Sequence, residues 1–186
     1  MSARDRGRPK TSSLAALEDA AHELFLEQGY EGTSIDDIAR RAGISRATFF
    51  NYFSSKSDVL WVDVDYALAG LEHHLHRDDH LGDALRAVAT EHPRDRIPLV
   101  VTQSEAMGLG ADLAASAGIR LERLRRILVG SRVDASDVWI VLGVLVGALH
   151  QWATHQAPRV ELGEALEEGI GRIREVLDSR SVATLF

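Results

Sequence analysis

Cysteine is absent from this chain of 186 residues, which excludes disulfides, thiolate chemistry and cysteine-ligated zinc and fits a reducing cytoplasm. The longest apolar run, Val138 to Leu149, falls well short of the roughly 20 residues that a membrane-spanning helix needs. The N-terminus is basic and polar and lacks the apolar stretch of a secretory signal. There is no P-loop, dinucleotide glycine fingerprint, nucleophile elbow or HExxH. Ser45 and His22 have no pattern that pairs them as nucleophile and base. Nothing therefore calls for an enzyme or a cofactor. Alternating strand patterns, internal repeats and low-complexity segments are missing as well. With 45% hydrophobic and 26% charged residues, the composition is that of a folded chain able to bury a substantial core.

A second absence is local. From Ile38 to Ser57 there is no acidic residue, while Arg40, Arg41, Arg46 and Lys56 are basic. The chain as a whole carries a net charge of −7. Phosphate binding responds to the field at the contact surface, within a Debye length of about 8 to 10 Å, so the local sign outweighs the total.

The residues around that stretch form two short amphipathic helices. The first starts at Thr33 or Ser34, whose hydroxyls cap free amides, and Asp36 and Asp37 suit the positive end of its dipole. Ile35, Ile38 and Ala39 share its buried side. It stops near Ala42 and Gly43, and Ser45 caps the next helix after a turn of about three to four residues, which is helix-turn-helix spacing. In the second helix Phe49 and Phe53, four apart, are drawn into the core with Ile44. Arg46, Ala47, Phe50, Asn51 and Tyr52 remain outward or on the flanks. Such a set suits a major groove, where arginine bonds guanine edges, asparagine bonds adenine and small apolar groups meet the thymine methyl. Thr33, Ser45, Thr48, Tyr52 and Lys56 are donors suited to holding phosphates, which fixes a docking angle without reading sequence.

These residues, Thr33-Ser34-Ile35, Ile38-Ala39, Ala42-Gly43-Ile44-Ser45, Thr48 to Phe53, Lys56 and Leu60, resemble the DNA-binding signature of TetR-type transcriptional regulators. Ala47 departs from the glycine the family most often has there, which alters how closely the backbone nears the bases. The resemblance covers about residues 13 to 60. It implies an all-α fold, with a three-helix DNA-binding head and a six-helix ligand-binding and dimerisation body. It also implies a homodimer on a palindromic DNA operator and release by a small-molecule effector, which reads as a repressor. An activator, or an adaptor of the same fold that does not bind DNA, remains the alternative. The run Phe49 to Phe53 with Ser55-Lys56, Leu60-Trp61 and Asp65 is also similar to a branch that includes the mycofactocin-system regulators. That likeness implies an apolar or acyl-CoA-like effector and a basic cavity mouth, for which Arg86, Arg94 and Arg96 are candidates.

Three regions follow from this reading: a flexible basic arm at 1–12, a helix-turn-helix domain at 13–57 and an effector-binding and dimerisation domain at 58–186. Arg6-Gly7-Arg8-Pro9 in the arm matches the core of an AT-hook, whose arginines enter a narrow minor groove; the other reading is a tail attracted diffusely to phosphates. Helix one runs from a cap near Ser12 or Ser13 to Gly29, with Leu14, Leu17, Ala21, Leu24 and Phe25 on one side. A long helix spans Asp58 to His76, the only element reaching from head to body in sequence, and so the lever for coupling. Further helices are expected at about 80–91, 96–107, 111–129, 135–155 and 161–178.

In the last two, Trp139, Leu142, Val146 and Leu149 and then Leu162, Leu166, Ile170, Ile173 and Leu177 are apolar, and Gly143 and Gly147 admit a close partner helix. By the family resemblance this pair builds a four-helix bundle with its two-fold copy. Two reading helices so related need half-sites about one DNA turn, ~34 Å, apart. Large or soft residues on body helices, Trp61, Tyr66, Val100, Met107, Leu121, Leu124, Trp139, His150 and Trp152, are candidate effector-pocket walls, with Glu105 placed to orient a cationic or hydrogen-bonding ligand. His73, His76 and His80 with Asp79 have metal-like spacing, but histidines at a helix C-terminus are accounted for by the helix dipole, and no metal is expected.

Overall fold

A computed structural model of the chain describes residues 10–77, 80–92, 111–131, 133–154 and 161–183. Among these residues there are eight α-helices, one 3-10 helix and no strand. The helices are α1 Lys10–Gln28, α2 Ile35–Arg41, α3 Arg46–Phe50, α4 Val62–His76, α5 Leu81–Glu91, α6 Ala111–Val129, α7 Val138–Thr154 and α8 Leu162–Ala183, with the 3-10 turn at Ser57–Trp61. None among the described residues is long and apolar enough to cross a membrane. The chain divides into two compact units, Met1–Val62 with Gln103–Ser116, and Asp63–Thr102 with Ala117–Phe186.

In the first unit, α1 buries Leu17, Ala21, Leu24 and Phe25, the i, i+4, i+7, i+8 stripe of a helix with one apolar side. It starts at Lys10, ahead of the cap expected at Ser12 or Ser13, and ends as expected at Gly29, whose φ is +76°. The rest of the basic arm, with Arg4, Arg6 and Arg8, lies outside the described residues. Gly32 is required for a different reason: a Cβ there would stand 2.5 Å from the Gln28 carbonyl oxygen.

The single helix expected from Asp58 to His76 is instead a 3-10 turn followed by α4. Asp58 accepts hydrogen bonds from the Ser54 and Ser55 amides at 3.1 and 2.9 Å, which tightens the chain at that point. Val59, Leu60 and Trp61 are then buried in succession. The Trp61 indole N–H donates to Ser116 Oγ at 2.9 Å, also inside the first unit.

The second unit is built round Leu68, Leu71, Leu85, Leu124, Leu128, Val141, Leu145, Leu166 and Ile170. Its α6 has the bounds expected from sequence, whereas α7 begins three residues later than expected and α8 runs on to Ala183. The helix expected at 96–107 lies outside the described residues. A polar seam joins α4 and α6: Arg120 Nη2 donates to Asp65 Oδ2 at 2.7 Å and Arg123 Nη2 to Glu72 Oε2 at 3.4 Å.

Candidate nucleic-acid interface

The helix-turn-helix is fixed by two N-caps. Ser34 Oγ accepts from the Asp37 amide at 3.1 Å, and the Asp37 carboxylate accepts from the Ser34 amide at 3.1 Å, so each satisfies an orphan donor of the other. Ser34 rather than Thr33 is therefore the cap. The Asp37 carboxyl titrates below its usual range because the Ser34 hydroxyl and amide donate to it, with Arg40 adding a third bond. Ala42 closes α2, and Gly43 takes φ +69°, a left-handed conformation that other L residues rarely adopt. Ser45 Oγ then accepts from the Thr48 amide at 3.1 Å and opens α3.

Phe49 and Phe53 lie in the core with ring centres 5.3 Å apart. Fully burying such side chains stabilises the head by about 1.5 to 3 kcal/mol each. Their insertion orients the opposite side of the helix outward. Ser45, Arg46, Ala47, Phe50 and Asn51 are all exposed, and Thr48 and Tyr52 are half-buried. The Arg46 guanidinium stands 5.3 Å over the Phe50 ring, and Phe50 meets Phe49 edge-on. These contacts make Arg46 and Phe50 one platform anchored to the core. Asn51 is the C-cap of the short α3, and its side-chain amide makes no hydrogen bond among the described residues. Such a surface presents a guanidinium, an amide and apolar groups together.

Two of the expected phosphate donors are turned inward. Thr33 is 2% exposed, and its hydroxyl donates to the Gly29 carbonyl at 2.8 Å, so its side chain closes the α1–α2 connection. The Lys56 ammonium donates to the carbonyls of Tyr30 and Thr33 at 2.7 and 2.9 Å and lies 3.9 Å from the Tyr30 ring centre. Its donors are directed at backbone, and its role is to tie the α1–α2 connection to the segment after α3.

The positive charge of the acid-free stretch is also redistributed by acids on α1 and in the first turn of α2. Arg41 bonds Glu27 at 2.7 Å and Glu23 at 3.0 Å, both on α1. The bond from Arg41 holds the Glu27 carboxyl below its usual range and raises the guanidinium in turn. Arg40 pairs with Asp37, and Arg46 with Asp36 at 3.0 Å. The Arg46–Asp36 pair is exposed on both sides, and pairs of that kind are worth about 0 to 1 kcal/mol. Arg46 is thus readily released to another anion.

Among the described residues, the expected pocket walls divide between buried and exposed positions. Trp61 is buried in the first unit by the bond to Ser116, and in the second unit Leu124 and Trp152 are buried. Tyr66, Leu121, Trp139 and His150 are exposed instead, because the core side of each helix is taken by its aliphatic neighbours. Val100, Glu105 and Met107 lie outside the described residues. So do Arg94 and Arg96, while Arg86 is engaged by Glu167 and by Asp83. Of the histidines with metal-like spacing, His76 Nδ1 lies 2.7 Å from the Glu72 carbonyl oxygen, and the neighbouring His74 lies 3.3 Å from Glu91. Asp79 is outside the described residues.

Two capped helices joined at a left-handed glycine, with a braced first helix and an outward polar face on the second, define a helix-turn-helix DNA-binding domain. Residues 17–60 match the sequence profile of bacterial regulatory proteins of the tetR family. A protein of Mycobacterium tuberculosis named as a candidate mycofactocin biosynthesis transcriptional regulator, MftR, is 31% identical over 177 residues, covering 86% of this chain and 88% of that protein. The HTH-type transcriptional regulator HbdR of an Aromatoleum species is 28% identical over 171 residues, covering 81% of this chain and 74% of its own length. Among solved structures, the TetR-family transcriptional repressor FadR of Thermus thermophilus, in complex with lauroyl-CoA, is 25% identical. It covers 87% of this chain and 93% of its own, with a TM-score of 0.49. The chain belongs to the TetR family of transcriptional regulators.

Proposed function

We propose that this chain is a ligand-responsive repressor acting in the cytoplasm, which binds a palindromic DNA operator as a homodimer and leaves it when a small-molecule effector binds the body. The observation that carries this reading is the two-sidedness of the segment after Ser45, with Phe49 and Phe53 buried while Arg46, Ala47, Phe50 and Asn51 are presented outward. Arg46 and Asn51 are assigned to base edges and Ala47 and Phe50 to apolar contact with them. Ser45, Thr48 and Tyr52 are assigned to the phosphates flanking the groove.

Support for the dimer comes from α7. Trp139, Val146 and Leu149 are exposed on it, and Cβ atoms built on Gly143 and Gly147 would meet nothing within 4 Å. An apolar face of this kind marks an interface. An apolar or acyl-CoA-like effector is what the resemblance of Phe49 to Phe53, Ser55-Lys56, Leu60-Trp61 and Asp65 to the mycofactocin-system branch implies. An effector coupled to DNA by about 1 to 3 kcal/mol changes operator affinity roughly 5- to 150-fold.

Titrating the chain with duplex from its own upstream region at increasing salt tests the reading. A dimer engaging about 6 to 10 phosphates loses roughly 10³ to 10⁵ in affinity between about 50 and 200 mM salt. Affinity that is absent or indifferent to salt favours the adaptor. Asn51→Ala should cost about 1 to 3 kcal/mol on the operator and leave nonspecific duplex unchanged. An equal loss on every duplex removes the base-reading assignment. In transcription assays the operator-bound chain lowers output if it is a repressor and raises it if it is an activator.

A further inference from the structure

We infer that Arg46 and Phe50 read one base step together, a guanine whose neighbouring base pair carries a thymine methyl. The inference rests on the proposed reading of duplex DNA by α3 and specifies what is read.

The two residues open and close α3, Arg46–Phe50, and at that spacing they lie on one stripe of the helix, about 40° apart. Ala47 and Asn51 belong to the stripe beside it. Phe50 is 46% exposed, and an aromatic ring is a large apolar surface to leave in water, about 150 to 250 Å² when covered. It stands edge-on to Phe49 with ring centres 5.5 Å apart, and Phe49 is wholly buried. The outward ring is therefore braced by the core. It carries no hydroxyl and has nothing to donate to a phosphate, so apolar contact is what it offers. The Arg46 guanidinium lies over this ring, 5.3 Å from its centre. In the free chain the guanidinium also meets Asp36 at 3.0 Å, an exposed pair that is cheaply exchanged for another acceptor.

A guanidinium that bonds guanine O6 and N7 with both prongs lies close to the plane of that base. The Phe50 ring, which has the guanidinium over its face, then meets the adjoining base pair, ~3.4 Å along the duplex axis. In the major groove that pair offers acceptors at N7, O6 or O4, donors at N4 or N6, and one apolar group, the thymine methyl. A ring set against a donor or acceptor strips its water and returns no hydrogen bond, which costs free energy. A ring set against the methyl buries apolar surface on both partners. The choice of guanine by Arg46 thus carries with it a choice at the next pair.

The test starts from duplexes that the full chain selects out of a random-sequence pool. Each half-site of the enriched duplexes should hold a guanine with a thymine in the adjoining base pair. Replacing that thymine by uracil removes only the methyl. It should raise the wild-type Kd about 3- to 5-fold per half-site, as burial of one methyl implies, and roughly 10- to 25-fold when both half-sites are replaced. Replacing the guanine by 7-deazaguanine removes the N7 acceptor, and that loss should shrink in Arg46→Ala, because both changes remove the same bond. Phe50→Ala should bind thymine and uracil duplexes alike, while Phe50→Leu, which keeps an apolar group, should retain part of the discrimination. The uracil measurement on the wild type needs no variant and stands even where a substitution weakens the fold. Uracil tolerated at every thymine beside a guanine, on duplexes still selected by sequence, overturns the inference and leaves DNA reading in place. A uracil penalty undiminished in Phe50→Ala and lost in Ala47→Gly gives the methyl to Ala47 and overturns it too. A pool without enrichment overturns both the inference and the operator reading.

Discussion

The Lys56 ammonium stands 2.7 Å from the Tyr30 carbonyl oxygen and 3.9 Å from the centre of the same residue's ring. A second bond to the Thr33 carbonyl makes this lysine a clamp between the segment after α3 and the α1–α2 connection. Hydrogen bonds from charged donors contribute about 1.5 to 3 kcal/mol each, and these are only part-buried. Lys56→Met should therefore lower stability by about 1 to 3 kcal/mol, read as a fall in thermal midpoint. The salt dependence of duplex binding by the remaining folded protein should keep its slope. A shallower slope with an unchanged midpoint would return Lys56 to the phosphates.

Asp36 is paired with Arg46 of the reading face at 3.0 Å. Asp36→Asn removes a negative charge that phosphate must approach and releases the guanidinium from a pair worth about 0 to 1 kcal/mol. Nonspecific duplex affinity should rise about 2- to 5-fold at low salt, with the gain vanishing at high salt. The first turn of α2 loses a favourable dipole contact of about 0.3 to 1 kcal/mol, so a small drop in thermal midpoint should accompany the gain. Binding that weakens would mean the pair itself presents Arg46 to DNA.

These two sites mark where sequence was legible and where it was not. Ser45 as a cap, Gly43 as a stop and Phe49 with Phe53 as an inward pair are relations within four residues, set by backbone geometry alone. The same is true of α6, whose start and stop matched. Arg41 with Glu27 and Lys56 with Tyr30 join residues 14 and 26 apart, and nothing in local periodicity announces them. Counting charge along Ile38 to Ser57 saw the arginines without the acids that α1 and the first turn of α2 bring beside them. Trp139 failed differently. Its apolarity suggested an inner wall, but on a helix with apolar residues all round, hydrophobicity does not say which side is in.

Acid should loosen the helix-turn-helix through Asp37. Its carboxyl is lowered in the folded chain, so it favours the folded state above the ordinary aspartate value, near 3.8, and that contribution is lost as pH falls through the folded value. The Glu27 carboxyl on Arg41 acts in the same direction from its ordinary value of 4.5. Thermal stability of the head should be insensitive to these groups at neutral pH and should fall once the solution is more acidic than about pH 4. Asp37→Asn, which keeps an acceptor and removes the titration, should flatten that limb. An acid limb as steep as the wild type's would show that the capping carboxylate does not carry it.

The Asp65–Arg120 pair sets a different problem, because Arg120 is 8% exposed and a guanidinium is not neutralised by burial. Asp65 meets it with both carboxylate oxygens and also lies 3.7 Å from Arg123. Removing one member of a fully buried pair costs about 3 to 5 kcal/mol. Asp65 is about one-third exposed, so water recovers part of that loss, and Asp65→Leu should cost roughly 2 to 4 kcal/mol in urea unfolding of the full chain. Asp65→Leu with Arg120→Met removes the stranded charge and should regain most of the loss, since an apolar pair of similar size often serves as well. If the double variant is no more stable than the single one, the seam between α4 and α6 is held by the bond itself rather than by the need to neutralise Arg120.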